Sequence, residues 1–478
     1  MKIAIHHRPG SFSDRWIEYC KKENIDFKIV NAYDSDVVEQ VADCDAFMWH
    51  HHQGDYRDNL FAKQLIYSLE TKGIRCFPDF HTTWHFDDKV GQKYLLESVG
   101  APLVPSYVFY TKKDAFAWID KTEFPKVFKL RGGAGATNVR LAHSKDEAKR
   151  FAKKAFGKGF PVKKADMKER WRKYREGKAP LSHVVKGVGR LFLTKDFAKM
   201  HSPEKGYVYF QDFIPNNQYD IRIIMIGNRA FAIKRMVRKG DFRASGSGHI
   251  LYNKEEIPET CVKASFEVAK QLKSQSLAFD YVFDKNNKPA IVEISYGFAT
   301  HAYDPCPGYW SDDMVWHEGS FNPQEWMIQN LISEVRGGVI FIDASLIEIL
   351  TSYGVKTSTK HFDLRVVVIG GEYAMGEKRI CREGDFRASG SGQFEYVPIR
   401  QDVLQIAFNT ANILQMQSVA FDFIFKDNEP LIVEMSYGFG THGISKCPGY
   451  YTSDYRWHEE ESPNFYGWMV ENLIRTTK

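Results

Sequence analysis

Asp241–Gly248 reads DFRASGSG, and the same eight residues return at Asp385–Gly392. Around them the match widens. YDIRIIMIG (from Tyr219) faces FDLRVVVIG (from Phe362), LAFDYVFD (from Leu277) faces VAFDFIFK (from Val419), and IVEISYGFATH (from Ile291) faces IVEMSYGFGTH (from Ile432). Further on, CPGYW pairs with CPGYY, WHE with WHE, and EWMIQNLI with GWMVENLI. The offset drifts from 143 (Asp220 to Asp363) through 144 (Arg243 to Arg387) to 142 (Asp280 to Asp422) and 141 (Glu293 to Glu434). Two copies of one unit therefore cover 215–332 and 358–474. Solenoid repeats run roughly 20–50 residues, so this is a duplicated domain or half-domain.

The first copy is preceded by sequence the second lacks. Residues 1–80 alternate apolar runs (Lys2–Ile5, Phe27–Val30, Ala46–Trp49) with helical patterns (Arg15–Lys22, Leu60–Lys72). That rhythm predicts a small parallel sheet. DDKVGQKYLLE (87–97) reads as an amphipathic helix and Ala101–Tyr110 as an extended connection. FPKVFKLRGGAGATNVRLA is a strand, a glycine-rich turn and a strand. The many Lys and Arg of 142–178 read as a solvated helical face, ahead of a polyanion-binding surface.

Composition bounds the rest. At roughly 150 residues per domain, 478 residues suggest about three domains. The chain is 43% hydrophobic and 26% charged, which excludes wholesale disorder. No run approaches the roughly 20 apolar residues of a bilayer span, and MKIAIHHRPGSF lacks the apolar core of a secretory signal. Seven scattered cysteines without CxxC spacing read as reduced thiols, so a cytoplasmic protein is expected. A net charge of +5 permits anionic partners without demanding nucleic acid.

The chemistry-bearing residues begin with two carboxylates. LAFDYVF and PAIVEIS flank the turn DKNNKP and predict a hairpin. If Phe283 pairs with Ala290, Val282 faces Ile291 and Asp280 faces Glu293. The same count sets Phe425 against Leu431 and Asp422 against Glu434. Like charges facing each other on paired strands repel; a divalent cation between them removes the penalty, and hard oxygens suit Mg²⁺. Two rim carboxylates with a basic neighbour are the plainer alternative. The glycine loop is Lys129-Leu-Arg-Gly132-Gly133-Ala-Gly135-Ala-Thr137-Asn138. Its glycines free backbone N–H groups to approach an anion, and Lys129 adds positive charge. It is neither a Walker loop nor GxGxxG.

The parts come in a definite order: a helix opening at Lys89, a strand with Lys126 and Lys129, the glycine loop, YVYFQDFIPNNQYDIR, Lys234, GDFR and the acidic hairpin. In that order the sequence resembles the ATP-grasp superfamily, most closely its RimK-like amide-bond-forming branch, over 1–335, with the C-terminal half recurring in 358–474. The resemblance implies an α/β fold: a pre-ATP-grasp domain (1–85), an ATP-grasp domain (86–335, flap about 105–205) and a duplicated half (336–478). It implies ATP and Mg²⁺ as cofactors. Lys89 and Lys129 would hold phosphates, with Gly132, Gly133 and Gly135 closing over them. Gln211, Asp212, Phe213 and Ile214 would receive adenine, with Asp220 beside them. Asp280, Glu293 and Ser295 would hold the metal. Arg222, Arg243 and Lys234 would face the transferred phosphoryl or the acid. Two departures stand out: Ser295 (Ser436 in the second copy) where the family usually has Asn, and Ala244-Ser245 where it has Ser-Asn.

The activity so implied is an ADP-forming carboxylate–amine ligase working through an acyl phosphate on small-molecule acids and amines. Alternatives are a peptide ligase, another ATP-grasp phosphotransferase, or a non-catalytic nucleotide- or polyanion-binding protein. The WHE and EWM segments resemble ATP-grasp proteins found beside cell-surface polysaccharide genes, which suggests sugar-acid modification. The second copy has no counterpart of the Lys129 loop or of the hinge, so a structural, dimer-forming or substrate-binding role is expected. It still keeps Arg365, Lys378, Arg387, Asp422 and Glu434, which leaves room for a homo-oligomer sharing a site. His50-His51-His52 reads as a polar strand end bordering the cleft, ahead of a metal site. The CPGYW/CPGYY and WHE stretches read equally as core and as an acceptor pocket.

Overall fold

The computed structural model describes residues 1–133, 138–161, 202–238, 242–337, 362–380, 393–426 and 428–476. The chain divides into two compact units, Met1–Ile340 and Phe341–Lys478.

The first unit opens with four parallel strands, β1 (Lys2–His6), β2 (Asp26–Val30), β3 (Ala46–Trp49) and β4 (Arg75–Phe77), in the order β2-β1-β3-β4. Four of five residues of β1 and all of β3 are buried. Such continuous apolar strands suit a sheet covered on both faces. One cover is the helix Phe12–Lys22, whose Ser11 caps the Ser13 amide. The other is the helix Tyr56–Thr71, capped by Asp55.

A second sheet, ordered β5-β8-β6-β7, joins β5 (Ser106–Phe109), β6 (Lys126–Lys129), β7 (Val139–Ala142) and β8 (Val208–Asp212). Against it packs the helix Lys145–Ala155, which buries Ala148, Ala152 and Ala155 and leaves its lysines outward. The described part of the basic segment thus presents the solvated face that its charge pattern predicts. Residues 162–178 lie outside the described residues.

The third sheet is antiparallel. It comprises β9 (Tyr219–Ile226), β10 (Arg229–Met236), β11 (Ile250–Leu251), β12 (Ser276–Phe283), β13 (Pro289–Ser295), β14 (Gly308–Ser311) and β15 (Trp316–Glu318), ordered β13-β12-β9-β10-β14-β15 with β11 on β10. Period-two alternation divides its side chains. Ile221, Ile223 and Met225 pack with the helix Glu259–Gln271 in one core. Ile224, Ile226, Phe231 and Ala278 form the other core with Trp16 and Cys20 of the helix Phe12–Lys22 and with Met327, Ile328 and Leu331 of the helix Pro323–Gly337.

The second unit repeats this last sheet. Its strands β16 (Phe362–Ile369), β17 (Tyr373–Ile380), β18 (Phe394–Glu395), β19 (Ser418–Lys426), β20 (Glu429–Ser436), β21 (Gly449–Thr452) and β22 (Trp457–Glu459) run β20-β19-β16-β17-β21-β22, with β18 on β17. The helices Gln401–Ile413 and Phe465–Thr476 accompany it. Among the described residues no helix is long and apolar enough to cross a membrane.

Trp16 is fully buried where the parallel sheet meets the antiparallel one. Trp16→Ala is expected to lower the unfolding free energy by about 3–5 kcal/mol, read from a urea titration.

Candidate active site

The hairpin register differs from the count made on the sequence. Phe283 pairs with Pro289 and Val282 with Ala290, one residue short of expectation. A bulge between Asp280 and Tyr281 leaves Val292 unpaired and restores the register, so Asp280 still faces Glu293. The second copy does the same: Ile424 pairs with Leu431, the bulge follows Asp422, and Asp422 faces Glu434.

Across the sheet Glu293 faces Asp280, Asp280 faces Arg222 and Arg222 faces Ile233. Directly paired residues share a face, so these four side chains form a row. Arg222 Nη1 donates to both Asp280 oxygens at 3.0 Å. Arg235 lies 3.0 Å from Asp280 and binds Asp220 through two hydrogen bonds of 2.7 and 2.8 Å. Burial opposes ionisation of Asp280, but the two guanidinium groups outweigh it and hold its carboxyl below the usual range.

Arg235 was not anticipated, although Gly227-Asn228 signals it. A two-residue turn pairs Ile226 with Arg229, and counting back from there places Asp220 opposite Arg235. Lys234, expected to be catalytic, is one residue out of phase: its ammonium binds Glu256 at 2.6 Å and lies 4.0 Å over the Tyr219 ring. Alternation puts it on the opposite face from Arg235.

The two lysines are buried and differ. Lys89 opens its helix because Asp88 accepts hydrogen bonds from the Val90 and Gly91 amides. Its Nζ reaches Glu293 Oε1 and the Gly133 carbonyl, each at 3.0 Å. Burial would lower its pKa, yet Glu293 and Asp87 raise it above the ordinary lysine value. Lys129 donates to the Val292 carbonyl at 3.1 Å, and burial brings it down to about 8.

Of the glycine loop, Gly132 and Gly133 are described, whereas Gly135 lies outside the described residues. Gly133 (φ +109°) donates to Asp87 at 2.8 Å, and Asn138 donates to the Gly132 carbonyl at 2.8 Å. A Cβ on Gly133 would collide with the Asn138 amide at 2.4 Å, so glycine is required there. Burial raises Asp87, which the sequence reading missed, to about 6.

Beside these residues lies a cleft of about 1240 Å³, which Lys129 lines directly and Lys89 adjoins through Glu293. At one end lie Gln211, Asp212, Phe213 and Ile214. Gln211 Nε2 donates to Ser106 at 3.0 Å, Asp212 pairs with Lys126 at 2.5 Å, and the Phe213 ring meets Phe242 edge-on at 5.7 Å. Arg222, Arg235, Asp220, Asp280, Glu293, Lys129 and Ser295 line its middle, with Arg243 from the repeated loop. Ser295 Oγ donates to the Gly297 carbonyl at 3.1 Å. The far end is built by the parallel-sheet region: Arg8, Arg15, His50 and His52. The histidines are committed locally. His50 stacks on Phe12 at 3.7 Å and accepts its amide, His52 accepts the Gly54 amide, and His51 meets Thr83. Burial holds all three below the ordinary histidine pKa, His51 at about 3, in keeping with a polar strand end at the cleft.

Among the described residues no group of three or more His, Cys, Asp or Glu side chains could hold a metal by itself. Mg²⁺ commonly takes one or two protein carboxylates and completes its shell with water and phosphate oxygens. Asp280 and Glu293, opposed hard donors with Ser295 close by in register, fit that chemistry, and Arg222, Arg235 and Lys89 balance their charge.

In the second unit Arg365 binds Asp422 through hydrogen bonds of 2.7 and 2.8 Å, and Arg379 bridges Asp363 and Asp422. There the row reads Glu434–Asp422–Arg365–Glu377, and a buried carboxyl stands where the first unit has Ile233. Ile294 and Tyr296 are 1% and 0% exposed; their counterparts Met435 and Tyr437 are 54% and 82% exposed. Lys378 pairs with Glu395 and is out of phase like Lys234. Arg387 lies outside the described residues.

The family model for the RimK-like ATP-grasp domain matches residues 335–451. Over those residues the chain is similar to a RimK-like ATP-grasp domain. The match falls on the second copy, and the first shares its sequence pattern and strand order. A probable alpha-L-glutamate ligase of Aliivibrio fischeri is 30% identical over 89 residues, 18% of this chain and 30% of that relative. The corresponding Vibrio atlanticus protein is 28% identical over the same length. The chain thus spans under a third of the curated relatives it matches. The RimK domain ATP-grasp protein of Sphaerobacter thermophilus superposes with a TM-score of 0.41 at 14% identity, covering 70% of this chain and 99% of that one. D-alanine–D-alanine ligase from Bacillus anthracis complexed with ATP gives 0.43 at 16%, covering 70% and 98%. Scores of this size leave the fold argument to the strand order and the family match.

Lys129 makes a measurable prediction. The folded protein has released its proton by about pH 8, whereas the unfolded chain keeps it to the ordinary value of 10.5. Between those values the unfolded state binds more protons, so wild type gains stability with rising pH. Relative to Lys129→Met, the gain is expected to reach about 3 kcal/mol at most, by denaturant titration from pH 7 to 10.5.

Proposed function

We propose that the first unit is an ADP-forming carboxylate–amine ligase. One observation carries the reading: the buried Lys129 and Arg235, the half-buried Arg222 and an opposed carboxylate pair line one cleft beside Gln211–Ile214, and a second buried lysine, Lys89, is paired with Glu293 behind it. Lys89 and Lys129 would bind phosphate oxygens, the loop at Gly132 and Gly133 would lie over them, and Gln211–Ile214 would hold adenine. Asp280, Glu293 and Ser295 would hold Mg²⁺, which supplies charge neutralisation of the phosphates. Arg222, Arg235 and Arg243 would orient the acid; Arg235 takes the place expected for Lys234.

A carboxylate is a poor acyl donor because oxide is a poor leaving group. Attack of its oxygen on the γ-phosphorus breaks the bond to the β-phosphate oxygen, giving an acyl phosphate and ADP. Amine attack on the acyl carbon then expels phosphate, and the nitrogen loses a proton. Such chemistry needs positioning and charge stabilisation more than covalent help from the protein. The glutamate ligase relatives favour an amino acid as one substrate, and the far end with Arg8 and Arg15 suits an anionic partner. A uronic acid or other sugar acid belongs in the same trial.

In the second unit the row and its neighbours set Asp363, Glu377, Asp422 and Glu434 against Arg365 and Arg379. Among the described residues the first unit sets Asp87, Asp220, Asp280 and Glu293 against four cations, Lys89, Lys129, Arg222 and Arg235. That balance favours one triphosphate site per chain.

The expected outcome is ADP release that needs both an acid and an amine, assayed over amino acids, sugar acids and amines. Lys129→Ala and Glu293→Ala should each lower turnover at least about a hundredfold. Turnover unchanged by both would remove these residues from the chemistry, and isothermal titration with an ATP analogue should count one site.

A further inference from the structure

The two copies use one sequence motif differently. In the first unit Trp310 of CPGYW is core: it is 1% exposed and packs 4.5 Å from the half-buried Trp316 of WHE, while Ala232 sits beneath on β10. The link from β11 to Ile257 spans five residues, Tyr252–Glu256, and includes the short helix Lys254–Glu256, whose Lys254 ammonium lies 5.7 Å over the Trp316 ring.

Two changes open this place in the second unit: Tyr451 stands for Trp310, and the link from β18 to Ile399 shortens to three residues, Tyr396–Pro398, while Gly376, in place of Ala232, makes room for the Ile399 side chain, 2.3 Å from where a Cβ would sit. Trp457, the counterpart of Trp316, becomes 43% exposed. The result is a pocket of about 380 Å³ with Gly376 and Cys447 below and Tyr396, Pro398, Tyr451 and Trp457 around it. That is within the range of small-molecule sites, roughly 300–1,000 Å³ with apolar and aromatic walls.

Several polar atoms of the walls are already engaged. The Tyr451 hydroxyl accepts the Ile399 amide at 3.0 Å, the Tyr396 hydroxyl donates to the Gly443 carbonyl at 2.6 Å, and the Cys447 thiol lies 3.1 Å from the Gly449 carbonyl. Among the described residues the pocket is lined by no charged side chain. A sugar would find few partners for its hydroxyls, whereas a flat uncharged ring fits aromatic walls of this kind.

We propose that this pocket in the second unit binds a small uncharged aromatic ring, free or as part of a larger molecule, independently of the cleft in the first unit.

The test is binding of 5-fluoroindole to the full chain by fluorine NMR. Tyr451→Trp restores the first copy's own residue and fills the pocket; Val397→Trp, at a 38% exposed position on the rim, covers its mouth with little demand on the core. Saturable binding to wild type, weakened about tenfold or more in both variants and unaffected by an ATP analogue, is expected. Absence of saturable binding up to about 1 mM, or equal affinity in wild type and both variants, would overturn the proposal. Neither result bears on ADP release, so the ligase reading is tested separately.

Discussion

Asp280 sits between two guanidinium groups on a sheet whose neighbouring residues are core. Ion pairs drawn out of water cost desolvation, and they hold together only when each charge keeps its partners. Here Arg222 and Arg235 share Asp280, and Arg235 also binds Asp220. The same face of the sheet carries Ile224, Ile226, Phe231 and Ala278, which pack against the helix Phe12–Lys22. One face therefore does two jobs: its apolar half docks the parallel-sheet region, and its charged half floors the cleft that the docking creates. Removing one arginine would leave a buried carboxylate without compensation, so the network is as much a folding constraint as a binding surface.

Comparison of the copies separates these jobs. Both keep the aspartate–arginine network with nearly the same spacing, so this feature belongs to the repeated sheet itself. Among the described residues only the first has buried lysines beside it, supplied by the preceding helix Lys89–Ser98 and by β6. Where the first buries Ile233, the second buries Glu377, and Gly443 stands where the first has Ala302. A Cβ at Gly443 would lie 1.7 Å from the Glu377 carboxylate, so the glycine makes room for the charge.

Much of this was legible beforehand. The repeat, the strand rhythm of 1–80, the helix at Lys89 and the facing of Asp280 with Glu293 follow from patterns a few residues long. The intermediate register did not, because a bulge adds one residue without altering the local hydrophobic alternation that would reveal it. Lys234 entered through the resemblance alone, whereas strand phase, fixed by the turn at Gly227-Asn228, decides which of two adjacent cations enters the cleft. The histidine run gave its location in sequence, but stacking on Phe12 and contact with Thr83 come from segments far apart in the chain.

Periodicity and repetition in the sequence fix which residues alternate, where strands turn and which units are copies, since those are properties of short stretches of backbone. Tertiary structure alone decides which carboxylate meets which cation, how far burial moves Lys129, and why Trp316 is half-buried in the first unit while its counterpart Trp457 is exposed at a pocket in the second. Those outcomes depend on what the rest of the chain lays over each face, and desolvation and packing act through neighbours that are distant in sequence.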